Sequence, residues 1–400
     1  MVRAIFLLSV LSGLAWWLHG EQDRGRFREL DESFLDFLLG NARQEMKPDQ
    51  TKLNDVVLVR LREEDKDEYA AWPPLPIDYQ MIVKNLAAYE PSVLVIADPL
   101  HWPEPKPEFI DSLAQSLVPI PRIVMAASVS SDGDRDEASL TILRERLPII
   151  SRSSDKARSL PEAKRVIAMP ETALSRQADI GLVMPSSTAV AVRTNHGLLP
   201  SLELQALSNS GRVPFEKIRI TTGPGAGVHF SDSWFVPTPA NGSWTAAEIE
   251  VPKVNALDLM VPEVTGSDAD LTKALGKGKT IILGMDRDIA GSASKASQCA
   301  TTVATALALP RVSVLSQTGQ FIAWGIAGGL GLLLLLWPKH KALTRAVLFL
   351  FLALTASYLA FQALQVWCPP AIPSVLIAAS GVLVRLFGRR HTEVPTAKSE

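Results

Sequence analysis

Asp55 to Leu61 reads DVVLVRL, and Pro91 to Ala97 reads PSVLVIA. Both runs are apolar and rich in β-branched residues, and neither alternates as a strand with one wet face would. Each is therefore expected to be a strand buried on both faces. Between them, Ile77 to Tyr89 places Ile82, Val83, Leu86 and Ala87 at helical spacing. Strand, helix, strand requires a crossover, and a crossover implies a parallel pair within an α/β layer.

Working outward, Arg122 to Ala127 reads as a third strand, preceded by a helix over Phe109 to Leu117. Ile180 to Met184, Thr188 to Val192, Ile218 to Thr222 and Thr280 to Leu283 continue the strand series, with helices at Leu199 to Ser208 and Ala293 to Ala308. Gly223 to Trp244 is rich in glycine, proline and asparagine and reads as loops with a hairpin. The expected fold is one α/β domain with a mostly parallel or mixed sheet and flanking helices. In it Val56 to Leu61, Val93 to Ala97 and Ile281 to Leu283 are neighbouring buried strands. Neither an internal repeat nor a low-complexity segment is visible.

Across 400 residues, 47% hydrophobic side chains and a mean hydropathy of +0.15 exceed what a soluble chain needs. Most of the excess lies in the last quarter, where Phe321 to Trp337, Ala346 to Trp367 and Pro369 to Phe387 are each long enough to cross a bilayer with modest tilt. Helices apolar all round are costly to keep in water, which disfavours a soluble helical core. Ala4 to Leu18, preceded by Arg3, is a further apolar run. The bulky Trp16, Trp17 and Leu18 at its exit favour an uncleaved anchor over a cleaved signal peptide. The link between the first two terminal segments carries Lys339, His340, Lys341 and Arg345, and Arg385, Arg389 and Arg390 close the last one. The Cys368-Pro369-Pro370 link is uncharged. Positive charge on the cytoplasmic side then predicts four transmembrane helices, both termini in the cytoplasm, and a large extracytoplasmic region. Trp337 and Trp367 at segment ends suit interfacial anchors. The division is an anchor over 1–20, an extracytoplasmic α/β domain over 21–317, a three-helix membrane bundle over 320–387 and a short tail over 388–400. Glu21 to Lys47 is expected to leave the membrane as an amphipathic helix.

A net charge of -2, from 40 basic and 42 acidic residues, argues against a basic nucleic-acid binder. Two cysteines, Cys299 and Cys368, exclude zinc ribbons, iron–sulfur ligation and a disulfide-dense scaffold, and a free pair is expected rather than a bridge. Gly276, Gly278, Lys279 and Thr280 approach a phosphate-cradling loop, but Lys273 replaces its first glycine and a strand follows where a helix should open. A lysine-tipped turn is expected instead. Ser292 with Lys295, and Ser153 with Lys156, share the Ser-x-x-Lys spacing of a nucleophile and base, without companion motifs. Asp132, Asp134 and Asp136 alternate like calcium ligands, yet Glu137 holds the turn-glycine position and Leu143 that of the bidentate acid. His19, His101, His196 and His229 are scattered without metal-ligand spacing. The run Gly223-Pro224-Gly225-Ala226-Gly227 reads as a turn. No catalytic, cofactor-binding or metal-ligating residue is assigned, and no cofactor or enzymatic activity is expected.

One anchor, a large outer α/β domain and three closely spaced terminal spans resemble the CHASE2 family. These are extracytoplasmic sensory domains commonly attached to histidine kinases, nucleotide cyclases and phosphodiesterases. The resemblance covers about Asn54 to Phe387. It rests on the strand Val56 to Leu61, Trp72-Pro73, the helix Tyr79 to Ala88, and the strand Val93 to Asp98. It continues in Arg193 followed by Pro200-Ser201-Leu202-Glu203-Leu204, Pro237 to Gly242, Asn255 to Leu259, and Gly278 to Gly284. An acid usual at the end of the first strand is replaced around Leu61-Arg62, and the base usual after Trp-Pro is absent from Pro74 to Asp78. The resemblance therefore transfers no binding residue. Only His391 to Glu400 follow the last basic cluster, which leaves no room for a kinase or cyclase.

The resemblance implies a sensor subunit of the inner (plasma) membrane that perceives an envelope signal and relays it through its spans to a separately encoded effector. The alternative is a non-enzymatic docking or structural protein of the envelope. The implied partners are the lipid bilayer and an effector protein, with a homo-oligomer left open and no nucleic acid.

Overall fold

The chain divides into two compact units, Gln44–Pro310 and the pair of segments Met1–Arg43 and Arg311–Glu400. The computed structural model describes the chain except residues 1, 24–25, 28–29, 32, 36, 39–47, 151, 154–158, 186, 196, 223–225, 232–233, 240, 245–248, 261–268, 287–293, 310, 312, 337–338, 365 and 388–400. The first element is α1 (Val2–Asp23), one unbroken helix that runs past the apolar stretch read from the sequence.

In the α/β unit the opening elements follow the expected order: β1 (Val56–Arg62), α2 (Pro76–Ala87), β2 (Val93–Ile96), α3 (Pro107–Leu117) and β3 (Ile123–Ser130). Next come α4 (Glu137–Arg146), β4 (Arg152–Ser153), β5 (Arg165–Ala168), the single turn α5 (Thr172–Ser175) and β6 (Asp179–Val183). The antiparallel pair β7 (Ala191–Thr194) and β8 (Gly197–Pro200) leads into α6 (Leu202–Gly211). Then follow β9 (Arg219–Thr221), β10 (Gly227–Ser231), β11 (Trp234–Pro237), β12 (Lys253–Asn255), α7 (Ala269–Leu275), β13 (Thr280–Asp286) and α8 (Lys295–Ala308).

The main sheet has the order β12-β1-β13-β2-β3-β5, and β6 also pairs with β3. Every pairing in it is parallel except β3 with β5. Successive side chains of a strand face opposite ways, and here both faces are dry. Val57, Val59, Leu94, Ile96, Met125 and Ile281 enter a core with Ile82 and Leu86 of α2 and Leu113 of α3. Val56, Leu58, Val93, Val95, Val124 and Ile282 enter a second core with Leu204 of α6 and Val303 of α8. Phe230 and Trp234 join that second core from a smaller sheet ordered β11-β10-β9-β4. Burial of each such aliphatic side chain stabilises by about 1.5–3 kcal/mol, which explains why these strands lack alternation. Two glycines let helices settle onto the sheet. A Cβ on Gly181 would lie 2.5 Å from Leu202 Cα at the start of α6, and one on Gly284 would lie 2.8 Å from Ala296 Cβ in α8.

Three expectations need correction. β1 and β2 run parallel but are not partners, because β13 lies between them. The helix expected from Leu199 starts at Leu202. Pro200 holds Leu199 extended in β8, and Ser201 caps the helix by accepting the Leu204 amide at 3.3 Å. The strand expected from Thr188 starts at Ala191, since the Ser187 hydroxyl accepts the Ala189 amide at 3.2 Å and turns the chain there.

In the helical unit β14 (Ser313–Val314) precedes α9 (Gln317–Leu333), which tightens into a 3-10 turn over Leu334–Leu336. Then come α10 (Ala342–Leu364), β15 (Val366–Trp367) and α11 (Ala371–Phe387), with β14 and β15 paired in parallel. Thr318–Leu336 and Ala342–Leu364 are long and apolar enough to cross a membrane, while Ile5–Glu21 and Ala371–Phe387 are shorter apolar helices. Leu7, Leu11, Trp324, Ala327, Ile372 and Leu376 form a shared core of this unit. Among described residues of the segment expected to leave the membrane, 30–31, 33–35 and 37–38 are helical. Asp31, 5% exposed, accepts the Ala371 amide at 3.0 Å and so caps α11. Pro369, Pro370 and Pro373 have no amide hydrogen, which leaves few donors at this helix start to satisfy. Trp337 and the tail with Arg389, Arg390 and His391 lie outside the described residues.

Candidate functional site

In open α/β sheets, ligands collect beyond the carboxyl ends of the parallel strands. Here that edge is polar and internally bonded. Arg60 lies in register with Gly284 of β13 and Asn255 of β12, and its guanidinium reaches Asp286 at 3.5 Å. Arg62 contacts Glu64 and, through Nε at 3.3 Å, Asp65, which also accepts Asn255 Nδ2 at 3.0 Å. Asp98, just past β2, accepts the Met285 amide at 2.6 Å. Asp286 accepts the Ser294 hydroxyl at 2.9 Å, and Ser294 Oγ in turn accepts the Ser297 amide at the start of α8. These bonds tie the strand ends to one another and to α8.

Beside this row, the end of β6 and the first turns of α6 and α8 line a small cleft with room for about one water molecule. Leu182, Met184 and Val192 supply apolar wall, and Ser187, Glu203 and Lys295 supply polar groups. Ser201 Oγ accepts Trp244 Nε1 at 3.1 Å and donates to the Glu203 carboxylate. Burial pushes the Glu203 carboxyl above its usual range, against the opposing pull of its own amide, Ser201 and Lys295. Burial likewise lowers Lys295, while the Glu203 charge works to keep it protonated. Lys295 Nζ donates to the Ser187 carbonyl at 3.3 Å. One turn along α8, burial raises the Cys299 thiol well above its ordinary value, and Glu203 adds to the rise. That thiol is buried and protonated, the opposite of an activated nucleophile.

The residues singled out in the sequence do other work. Lys279 Nζ donates to the Lys273 and Ala274 carbonyls at 3.1 and 2.7 Å, closing the end of α7, and Gly278 turns the chain at φ +83°. Asp136 caps α4 by accepting the Ala138 and Ser139 amides, both at 3.2 Å. His101 pairs with Glu171 at 3.1 Å, and His229 Nε2 lies 3.2 Å from Arg219. His19 packs its ring on Phe321 and Trp324. Among the described residues, no three His, Cys, Asp or Glu side chains are placed to hold a metal. Arg193 joins a chain of ion pairs, bonding Glu162 at 2.9 Å, which Arg135 also bonds at 2.8 Å. Cys299 is buried, Cys368 half-buried, and both are free thiols. Ser292, Lys156, His196 and Gly223 to Gly225 lie outside the described residues, as does the side chain of Ser153.

The Glu203–Lys295 association was not legible beforehand. Glu203 reads as an ordinary acid in the first turn of a helix, and Lys295 as half of an unsupported Ser-x-x-Lys match. Only the packing of α6 beside α8 on one face of the sheet brings them to one cleft. No family model matches the chain, and neither a curated protein nor a solved structure matches it.

Proposed function

We propose that the chain is a membrane-anchored sensor subunit of CHASE2 type, whose α/β unit perceives a signal and whose helices relay it to an effector protein. The observation that carries this reading is the connectivity. Residues Gln44–Pro310 are inserted between two segments of one helical unit, so the α/β unit is tethered to that unit at both of its ends. A ligand that favours one arrangement of the α/β unit can bias the helices through two covalent links, which is the minimum a coupled two-state receptor needs. The order β1, Trp72-Pro73, α2, and β2 with Asp98 just beyond it supports the resemblance. The two long apolar helices support residence in a membrane.

In this reading α1, α9, α10 and α11 all cross the bilayer, the α/β unit is extracytoplasmic, and Lys339, Lys341 and Arg345 face the cytoplasm, where they meet the effector. Native membranes solubilised in mild detergent should yield a stable complex of this chain with a signalling enzyme. Replacing those three cations with glutamine should weaken recovery of the enzyme while the α/β unit stays folded. Recovery of envelope-assembly proteins instead, unaffected by these changes, would favour a docking role.

A further inference from the structure

The loop between α10 and α11 is fastened to both lengths of chain that lead to the α/β unit. On the exit side, Ser313 and Val314 of β14 lie in parallel register with Val366 and Trp367 of β15, and the Leu315 amide donates to the Trp367 carbonyl at 2.9 Å. On the entry side, the buried Asp31 accepts the Ala371 amide at 3.0 Å. Asp31 precedes the α/β unit, which begins at Gln44, and Ser313 follows it, after Pro310. Between the two fastenings lie Cys368, Pro369 and Pro370, and the proline rings fix φ at two of these positions. So short and stiff a segment cannot give way at Trp367 and stay in place at Ala371. Leu315 is tied in turn to α9, because its carbonyl accepts Gln320 Nε2 at 2.9 Å and the neighbouring Ser316 caps that helix by accepting the Gly319 amide at 3.3 Å.

We propose that the loop from Val366 to Ala371 is a clasp, which closes on or releases the two linkers as one unit and so passes the state of the α/β unit to the helices. Three observations support this. Within the α/β unit the first and last segments lie side by side, since the Asp49 amide donates to the Ala308 carbonyl at 2.8 Å. A change there reaches both linkers together. Each fastening also adjoins a helix start, so one release uncaps α11 at Asp31 and loosens the start of α9 at Leu315. Closure, finally, is held by little: a pair of two-residue strands and one side-chain cap. Trp367 Nε1 is buried with no acceptor among the described residues, which subtracts from the stability of the closed form. Contacts so few open far more readily than a packed core. The proposal rests on the reading of the α/β unit as the perceiving part.

The test is native-state hydrogen exchange on the full chain in lipid nanodiscs, read at single amides. In wild type the Leu315 and Ala371 amides should exchange through one opening, with protection equal within about threefold and the same dependence on denaturant. Asp31→Ala removes the acceptor of Ala371 alone. It should speed exchange at Ala371 at least tenfold and at Leu315 by a similar factor, although the Leu315 partner is untouched. Asp31→Asn keeps an acceptor and should leave both amides as slow as in wild type or slower. Asp49→Pro removes the amide that joins the ends of the α/β unit and should speed both clasp amides severalfold. Thermal midpoints establish that each variant is folded. Should Asp31→Ala unfold, the wild-type comparison and Asp49→Pro decide. Unequal protection of the two amides in wild type, a gain at Ala371 with Leu315 unchanged in Asp31→Ala, or no change at either in folded Asp49→Pro would overturn the proposal. Recovery of an effector with the native chain is independent of these outcomes, so the clasp can fail while the sensor reading stands.

Discussion

The two units handle apolar side chains in opposite ways. In β1, β2 and β13 the apolar positions Val56–Val59, Leu61, Val93–Ile96 and Ile281–Leu283 are all buried, and odd and even residues feed separate cores. In the helical unit only 17% of an apolar 18-residue stretch within Thr318–Leu336 and 6% of one within Ala342–Leu364 is buried, and Val347, Phe351 and Leu359 point outward. Water would penalise that outward face heavily, whereas a lipid phase would not. Burial thus measures packing quality in the first unit, and in the second it marks only the seam where helices meet.

The largest expected contrast is between equivalent truncations. Leu283→Ala in β13 removes a fully buried side chain and should cost about 2–5 kcal/mol in denaturant unfolding of the α/β unit. Leu352→Ala on the outward face of α10, where the leucine is 52% exposed, should change stability by less than about 0.5 kcal/mol. Similar losses at both sites would show that the face of α10 is covered by protein.

Glycines sharpen the same contrast. A Cβ on Gly181 meets the Leu202 backbone, so Gly181→Ala should cost about 1–3 kcal/mol by forcing α6 off the sheet. Gly328 in α9 has nothing within 4 Å of such a Cβ, and Gly328→Ala should be neutral or stabilise by up to about 1 kcal/mol. Thermal midpoints of the two variants, measured side by side, decide this. A large loss at Gly328 would reveal a helix packed there.

Asp31 and Glu203 give smaller, pH-dependent effects. Burial raises the Asp31 carboxyl from 3.8 to about 6. The folded state therefore binds more protons than the unfolded one across that window. Its contribution is fully present below pH 3.8 and lost as pH rises through about 6. Asp31→Asn keeps an oxygen for the Ala371 amide and removes the buried charge. It should leave the thermal midpoint unchanged near pH 4 and raise stability by on the order of 1 kcal/mol above pH 6.5. Glu203 carries the same sign, so Glu203→Gln should flatten the fall in stability that wild type shows as pH rises through the raised carboxyl value. A parallel pH profile in either variant would remove that residue from the linkage.

Much of the α/β unit could be read from local pattern, because a strand dry on both faces must be continuously apolar. DVVLVRL, PSVLVIA and the run from Thr280 declare themselves in this way. Strand order was not legible, since the placement of β13 between β1 and β2 depends on how crossovers pack and leaves no mark on any single run. The start of α6 was misplaced because the apolar periodicity through Leu199 outweighed the local signal of Pro200 and Ser201. The candidate site was hidden for a further reason. A charge becomes unusual only through its surroundings, and those of Glu203 and Lys295 come from α6, α8 and the loop at Ser187.

The central place of β13 also sets a clock. β1 and β2 leave the ribosome early, but the strand that joins them comes roughly 190 residues after the end of β2. At about 5–20 residues per second, two sticky strand edges wait on the order of 10–40 s for their common partner. Throughout that interval the nascent chain presents the kind of unpaired apolar edge that seeds aggregation. Safe arrival of this protein therefore depends on whatever shields an unfinished sheet, and any truncation before Thr280 leaves those edges permanently open.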